Sequence, residues 1–227
     1  MSAASNMNAH TRPVHIPADH LRLEGDLTLP PDPIGIVAFA HGSGSSRHSP
    51  RNQYVASVLQ ARGIATLLFD LLTAIEDRDY ERRFDIALLT ERLIAAARWI
   101  RAQPELVHLH LGFFGASTGA AAALQAAAAL GAGVKAVVSR GGRPDLAGSK
   151  ALQAADAPTL LIVGGEDHGV IELNEAACAE LRCQKELRII PGATHLFEEP
   201  GTLEAAAEAA AEWFARHLAP PPGPARR

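Results

Sequence analysis

Six short, mostly apolar runs alternate with helical stretches along this 227-residue chain, and that alternation limits its fold more than any other feature. The runs are IGIVAFA, IATLLFD, LHLGFFG, VKAVVS, APTLLIVGG and ELRIIPG. Helical segments fall between or after them: Asn52 to Arg62, Arg83 to Ala102, Thr118 to Leu130, Ile171 to Leu181 and Leu203 to His217. A strand apolar on both faces must be covered on both faces, and alternation with helices is the pattern of a parallel sheet sandwiched between helical layers. Val14 to Leu29 instead reads as two strands of an antiparallel hairpin turning at Asp19-His20. The expected architecture is one α/β domain at residues 13–218, with the hairpin at one sheet edge. Residues 1–12, polar, and 219–227, the proline-rich APPPGPARR, are expected to be disordered.

Composition excludes several classes of function. The net charge of -4 comes from dispersed residues, so the basic footprint of a nucleic-acid binder is absent. No apolar stretch approaches the roughly 18 residues of a membrane span, and the polar start lacks the hydrophobic region of a secretory signal. Cys178 and Cys183 lie five positions apart on an expected helix and face different ways, which disfavours a disulfide and suits a reducing cytoplasm.

The stretch LHLGFFGASTGAAAALQAAAALG carries the strongest chemical signal. It passes from strand to helix through Gly115-Ala116-Ser117-Thr118-Gly119. A turn this abrupt forces its central residue into a strained conformation, and small neighbours are needed where strand and helix meet. Ser117 is thereby projected at the helix N-terminus, where free N–H groups and the positive dipole end favour an oxyanion. A serine hydroxyl also needs a base, and the base an orienting carboxylate. PTLLIVGGEDHGV delivers Asp167 at one strand end, and ELRIIPGATHLFEEPG delivers His195 at the next. The glycine-rich loop His41-Gly42-Ser43-Gly44 after the first apolar run can present backbone donors. The expected oxyanion hole is the N–H of Thr118 with that of Ser43. His41 is read as shaping this loop rather than serving as the base.

With these motifs in place, HGSG, GASTG, GGEDHGVIELN and PGATHLFEEPG resemble the α/β-hydrolase superfamily, in its dienelactone hydrolase-like branch of small, lidless enzymes. The similarity runs from about Val14 to His217. It implies an α/β-hydrolase fold without a large cap, with Ser117 as nucleophile, Asp167 as acid and His195 as base. Enzymes that give the branch its name typically carry cysteine at the elbow, where this chain has serine. The implied activity is therefore hydrolysis of a small carboxylic ester, thioester or lactone through an acyl-enzyme. A non-catalytic binding module on the same fold is the alternative. No cofactor is called for.

Other residues carry weaker signals. Arg140 and Arg143 flank two glycines in VVSRGGRPDLAG and are candidates to clamp a substrate carboxylate or phosphate; the competing reading pairs Arg143 with Asp145 and packs Arg140 at the sheet rim. Asp145 is also a minor candidate for the triad acid. Glu76 to Arg83 reads as a solvated loop. His48, His108, His110 and His168 lack the spacing of a metal set, and no metal site is expected.

Overall fold

The computed structural model describes residues 9–219. Eight strands form one sheet in the order β1-β2-β4-β3-β5-β6-β7-β8. The hairpin is β1 (His10–Ala18) and β2 (Leu21–Leu29), joined at Asp19-His20 and antiparallel, with β2 also antiparallel to β4. The strands β3 (Gly35–Ala40), β4 (Ile64–Phe69), β5 (Leu111–Ala116), β6 (Ala136–Arg140), β7 (Thr159–Gly164) and β8 (Lys185–Ile190) run parallel. Strands β3 to β7 are buried at every position, in keeping with their mostly apolar sequences, whereas β8 at the edge is mostly half-exposed. β1 begins at His10, so residues 10–12 belong to the sheet rather than to the disordered segment expected there. Of the expected tails, residues 1–8 and 220–227 lie outside the described residues.

Helices cover both faces. Helices α1 (Pro50–Ala61) and α6 (Thr202–Leu218) pack one face, and α2 (Ile86–Ala102), α3 (Thr118–Leu130), α4 (Ser149–Ala154) and α5 (His168–Glu180) the other. Helix α2 buries Leu89, Leu93, Ala96, Ala97 and Ile100, a stripe at helical spacing. On the opposite face Phe214 of α6 is fully buried against β5, worth about 1.5–3 kcal/mol. That approach needs Gly112, because a Cβ there would stand 2.7 Å from the Phe214 ring.

Local chemistry moves some expected boundaries. Helix α2 starts at Ile86 instead of Arg83, because Glu81–Phe84 is a 3₁₀ turn and Asp85 caps the helix by accepting from the Leu88 N–H at 3.0 Å. The short α4 was not expected. Glu76 is not the solvated residue its charged neighbourhood suggested. It is buried, accepts from Arg92 Nη2 at 3.1 Å and from the Thr73 N–H at 2.9 Å, and these partners hold its carboxyl below the usual range against the opposing effect of burial.

The strand order places the chemistry. From β3 the chain crosses to β4 on one side and later returns to β5 on the other, so β3 and β5 are neighbours whose connections diverge. Ligands in open α/β sheets bind at such a point, beyond the carboxyl ends of the strands. The HGSG loop leaves β3 and the Ser117 turn leaves β5 at that position.

Candidate active site

Ser117 adopts φ 50°, ψ -122°, a conformation that costs a non-glycine residue about 1–3 kcal/mol. The surroundings enforce it. A Cβ at Gly115 would meet the Ala120 Cα at 2.5 Å, and one at Gly119 would collide with the Ala40 carbonyl. The Ser117 N–H donates to the Arg140 carbonyl at 3.3 Å, while its own carbonyl accepts from the Arg143 N–H at 3.0 Å. The segment after β6 therefore braces the turn from both sides. Its glycines serve that brace: Gly141 takes φ +51°, and a Cβ on Gly142 would overlap the Ser139 hydroxyl.

Ser117 and Asp167 both stand at helix N-caps, of α3 and α5, where such side chains ordinarily accept from the next backbone amides. Neither does so here. Asp167 Oδ2 instead accepts from His195 Nδ1 at 2.6 Å. That bond assigns the Nδ1–H tautomer and leaves Nε2 as the free basic nitrogen. The loop bearing Asp167 is tied to the loop bearing His195 by the Glu166 N–H, which donates to the Ala193 carbonyl at 2.9 Å. Beside the histidine, Thr194 donates through both its N–H and its hydroxyl to Glu199, at 3.0 and 2.6 Å.

Ser117 and His195 line one cleft of about 280 Å³, with Gly42 and Ser43 on its rim. No hydrogen bond joins the Ser117 hydroxyl to His195. The HGSG loop comes close enough that a Cβ on Gly42 would stand 3.0 Å from that of Ser117. Ser43 and Thr118 are brought together, though not as two free donors: the Ser43 N–H donates to Thr118 Oγ1 at 3.0 Å. His41 lies outside the cleft. Its Nδ1 donates to the Gly42 carbonyl at 3.0 Å and its Nε2 accepts from the Leu71 N–H at 3.0 Å, so the ring is neutral and burial lowers its pKa.

The two arginines part company. Arg143 forks onto Asp145 with bonds of 2.9 and 2.8 Å and does not line the cleft, which matches the reading that pairs it with Asp145 rather than with a substrate anion. Asp145 is held by Arg143, and the carboxylate bonded to His195 is that of Asp167. Arg140 does line the cleft, beside Arg51 and Asn52 from the start of α1. Sequence reasoning did not single out those last two, because nothing local in SPRNQY marks them as neighbours of Ser117. His168 is exposed, with its ring 3.9 Å from Glu166. Among the described residues no group of three His, Cys, Asp or Glu side chains is arranged to hold a metal.

This architecture, with a strained serine turn at the sheet's switch point, is that of the α/β-hydrolases. A model of the alpha/beta hydrolase domain family matches residues 34–219, and the chain belongs to that family. Within it the fold is dienelactone hydrolase-like. The crystal structure of dienelactone hydrolase from Anabaena variabilis superposes with a TM-score of 0.90 at 54% identity, covering 92% of this chain and 99% of that one. Est1E from Butyrivibrio proteoclasticus shares the fold, with a TM-score of 0.77 at 18% identity over 90% of this chain and 98% of its own. A Mycobacterium tuberculosis protein provisionally named a phosphoribosyl transferase is 55% identical over 221 residues, 97% of this chain and 50% of that protein. The chain spans about half the length of the curated relatives it matches.

Proposed function

We propose that the protein is a serine hydrolase that cleaves a small carboxylic ester, thioester or lactone. The observation that carries this reading is the His195–Asp167 bond of 2.6 Å beside a strained, uncapped Ser117 in the same cleft. His195 Nε2 takes the Ser117 proton as Oγ attacks the substrate carbonyl, and Asp167 stabilises the imidazolium. The Thr118 N–H and the Ser43 N–H hold the oxyanion, the second once Thr118 Oγ1 yields its place. Collapse of the tetrahedral intermediate expels the alcohol or thiol, which takes its proton from His195. Water, deprotonated by the same histidine, then releases the acid and restores Ser117.

The hydrolase named from Anabaena supports this assignment. The transferase name of the longer mycobacterial relatives gives no account of the serine turn or the His–Asp pair. The free thiols of Cys178 and Cys183 support action in a reducing compartment such as the cytoplasm.

The test is a fluorophosphonate probe. Stoichiometric labelling of the native protein, lost in Ser117→Ala, is the expected result. Absence of labelling would favour a binding module on the same fold.

A further inference from the structure

Arg140 is a buried cation without a counterion. Its side chain is 7% exposed, and among the described residues no carboxylate lies within salt-bridge distance of it. The guanidinium sits between the rings of Phe114 and Phe197, 5.7 and 5.9 Å from their centroids. Nη2 donates to Asn52 Oδ1 at 3.3 Å, a long bond to a neutral acceptor, and Nη1 is buried with no hydrogen-bond partner among the described residues. Buried cations are nearly always paired, and an unpaired one needs an explanation.

The surroundings indicate what is missing. Arg140 and Ser117 line one cleft, and their segments are joined by backbone bonding. The same cleft presents Arg51 and the hydroxyl-bearing Ser43, Ser45 and Ser49, with no Asp or Glu among its lining residues. Burial and the charge of Arg51 push the Arg140 pKa down to about 10, which still leaves it fully charged at neutral pH. With Arg140 unpaired in its wall, the cleft suits a short anionic arm.

We infer that Arg140 anchors an anionic group of the substrate, a carboxylate or a phosphate, on a short arm next to the carbonyl attacked by Ser117. The assignment rests on the hydrolase reading only for the identity of the reacting group. The anion accepts from the guanidinium, supplies the missing countercharge and fixes the ester over the nucleophile. Arg143, already forked onto Asp145, takes no part.

The experiment compares mono-4-nitrophenyl glutarate, its phosphonate analogue and 4-nitrophenyl pentanoate, which differ at the far end of the acyl chain. The readout is the ratio of kcat/KM for each anionic ester over the neutral one, so a general loss of activity cancels. Wild type should favour an anionic ester by about tenfold or more, the discrimination of one charge-assisted hydrogen bond. Which anionic ester leads separates carboxylate from phosphate. Arg140→Met should abolish the preference and Arg140→Lys, which keeps the cation, should retain part of it. A wild type indifferent to the anion, or an Arg140→Met ratio equal to that of wild type, overturns the anchor while leaving the hydrolase reading intact. If wild type cleaves none of the three esters, fluorophosphonate labelling decides the hydrolase reading and calorimetry on wild type decides the anchor. Glutarate or inorganic phosphate should then bind at least about tenfold more tightly than neutral glutaramide; equal or absent binding overturns it.

Discussion

The Ser43 backbone N–H donates to the Thr118 hydroxyl at 3.0 Å, so the two residues expected to hold an oxyanion hold each other in the free protein. In the proposed reaction the backbone amides do the work and the hydroxyl only keeps the loop in register. Thr118→Val keeps the shape and removes that acceptor. It should cost about 1 kcal/mol of stability while kcat falls less than about tenfold. Thermal unfolding and steady-state kinetics measure both, and a loss in kcat near 10³-fold, the scale of deleting an oxyanion donor, would place the hydroxyl itself in the hole.

Ser117→Ala and His195→Ala should each abolish ester turnover, with losses of about 10⁴-fold or more, and the double variant should lose little beyond either. Circular dichroism should show the fold intact. More than a tenth of the wild-type activity in either single variant contradicts their roles.

Asp167→Asn should cost roughly 10⁴-fold in kcat, because the histidine loses the acceptor that fixes its tautomer. Asp145→Asn should cost far less, since its carboxylate holds Arg143 rather than His195. A reversal of the two kinetic losses would move the acid to the segment after β6.

Buried His41 should make the fold acid-sensitive. Burial lowers its pKa, opposed by the bond to the Gly42 carbonyl and by the charges of Asp70 and Asp77. The neutral ring's contribution is therefore complete above the unfolded value of about 6.5 and is lost as pH falls toward the lower folded value. Urea midpoints between about pH 7.5 and 5.5 should fall more steeply for wild type than for His41→Asn. Parallel slopes would mean that His41 does not carry the effect.

Between β6 and β7 the chain forms only a 3₁₀ turn, Pro144–Ala147, and the six-residue α4, so no helical cap rises from that connection over the cleft. An open cleft gains little from a long acyl chain, although each buried CH₂ would be worth about 0.8 kcal/mol. Among 4-nitrophenyl esters kcat/KM should peak between acetate and butyrate. A maximum at long chains, or activation at a lipid interface, would require a cover formed elsewhere.

Much of this molecule was determined within short stretches of sequence. Strands β3 to β7 follow from runs too apolar to face water, and α3 begins and ends where its alanine-rich pattern does, at Thr118 and Leu130. The serine turn was legible in part for the same reason: the crowding at Gly115 comes from Ala120 a few residues on, whereas Gly119 is required by the Ala40 carbonyl, which only folding brings beside it. Asp167 and His195 could be marked as candidates because each follows a strand, yet the 2.6 Å bond between them exists only because β7 and β8 are neighbours. Partnership and burial were decided by the tertiary structure. Glu76 lies in a run of charges that reads as solvated, and it is buried because Arg92 of α2 folds onto it. Arg140 and Arg143 look equivalent in SRGGR, but Asp145 neutralises one while Phe114, Phe197 and Asn52 enclose the other without a countercharge. Periodicity and backbone sterics act between near neighbours and can be read along the chain. The charge environment of a side chain is set by groups that only folding brings beside it.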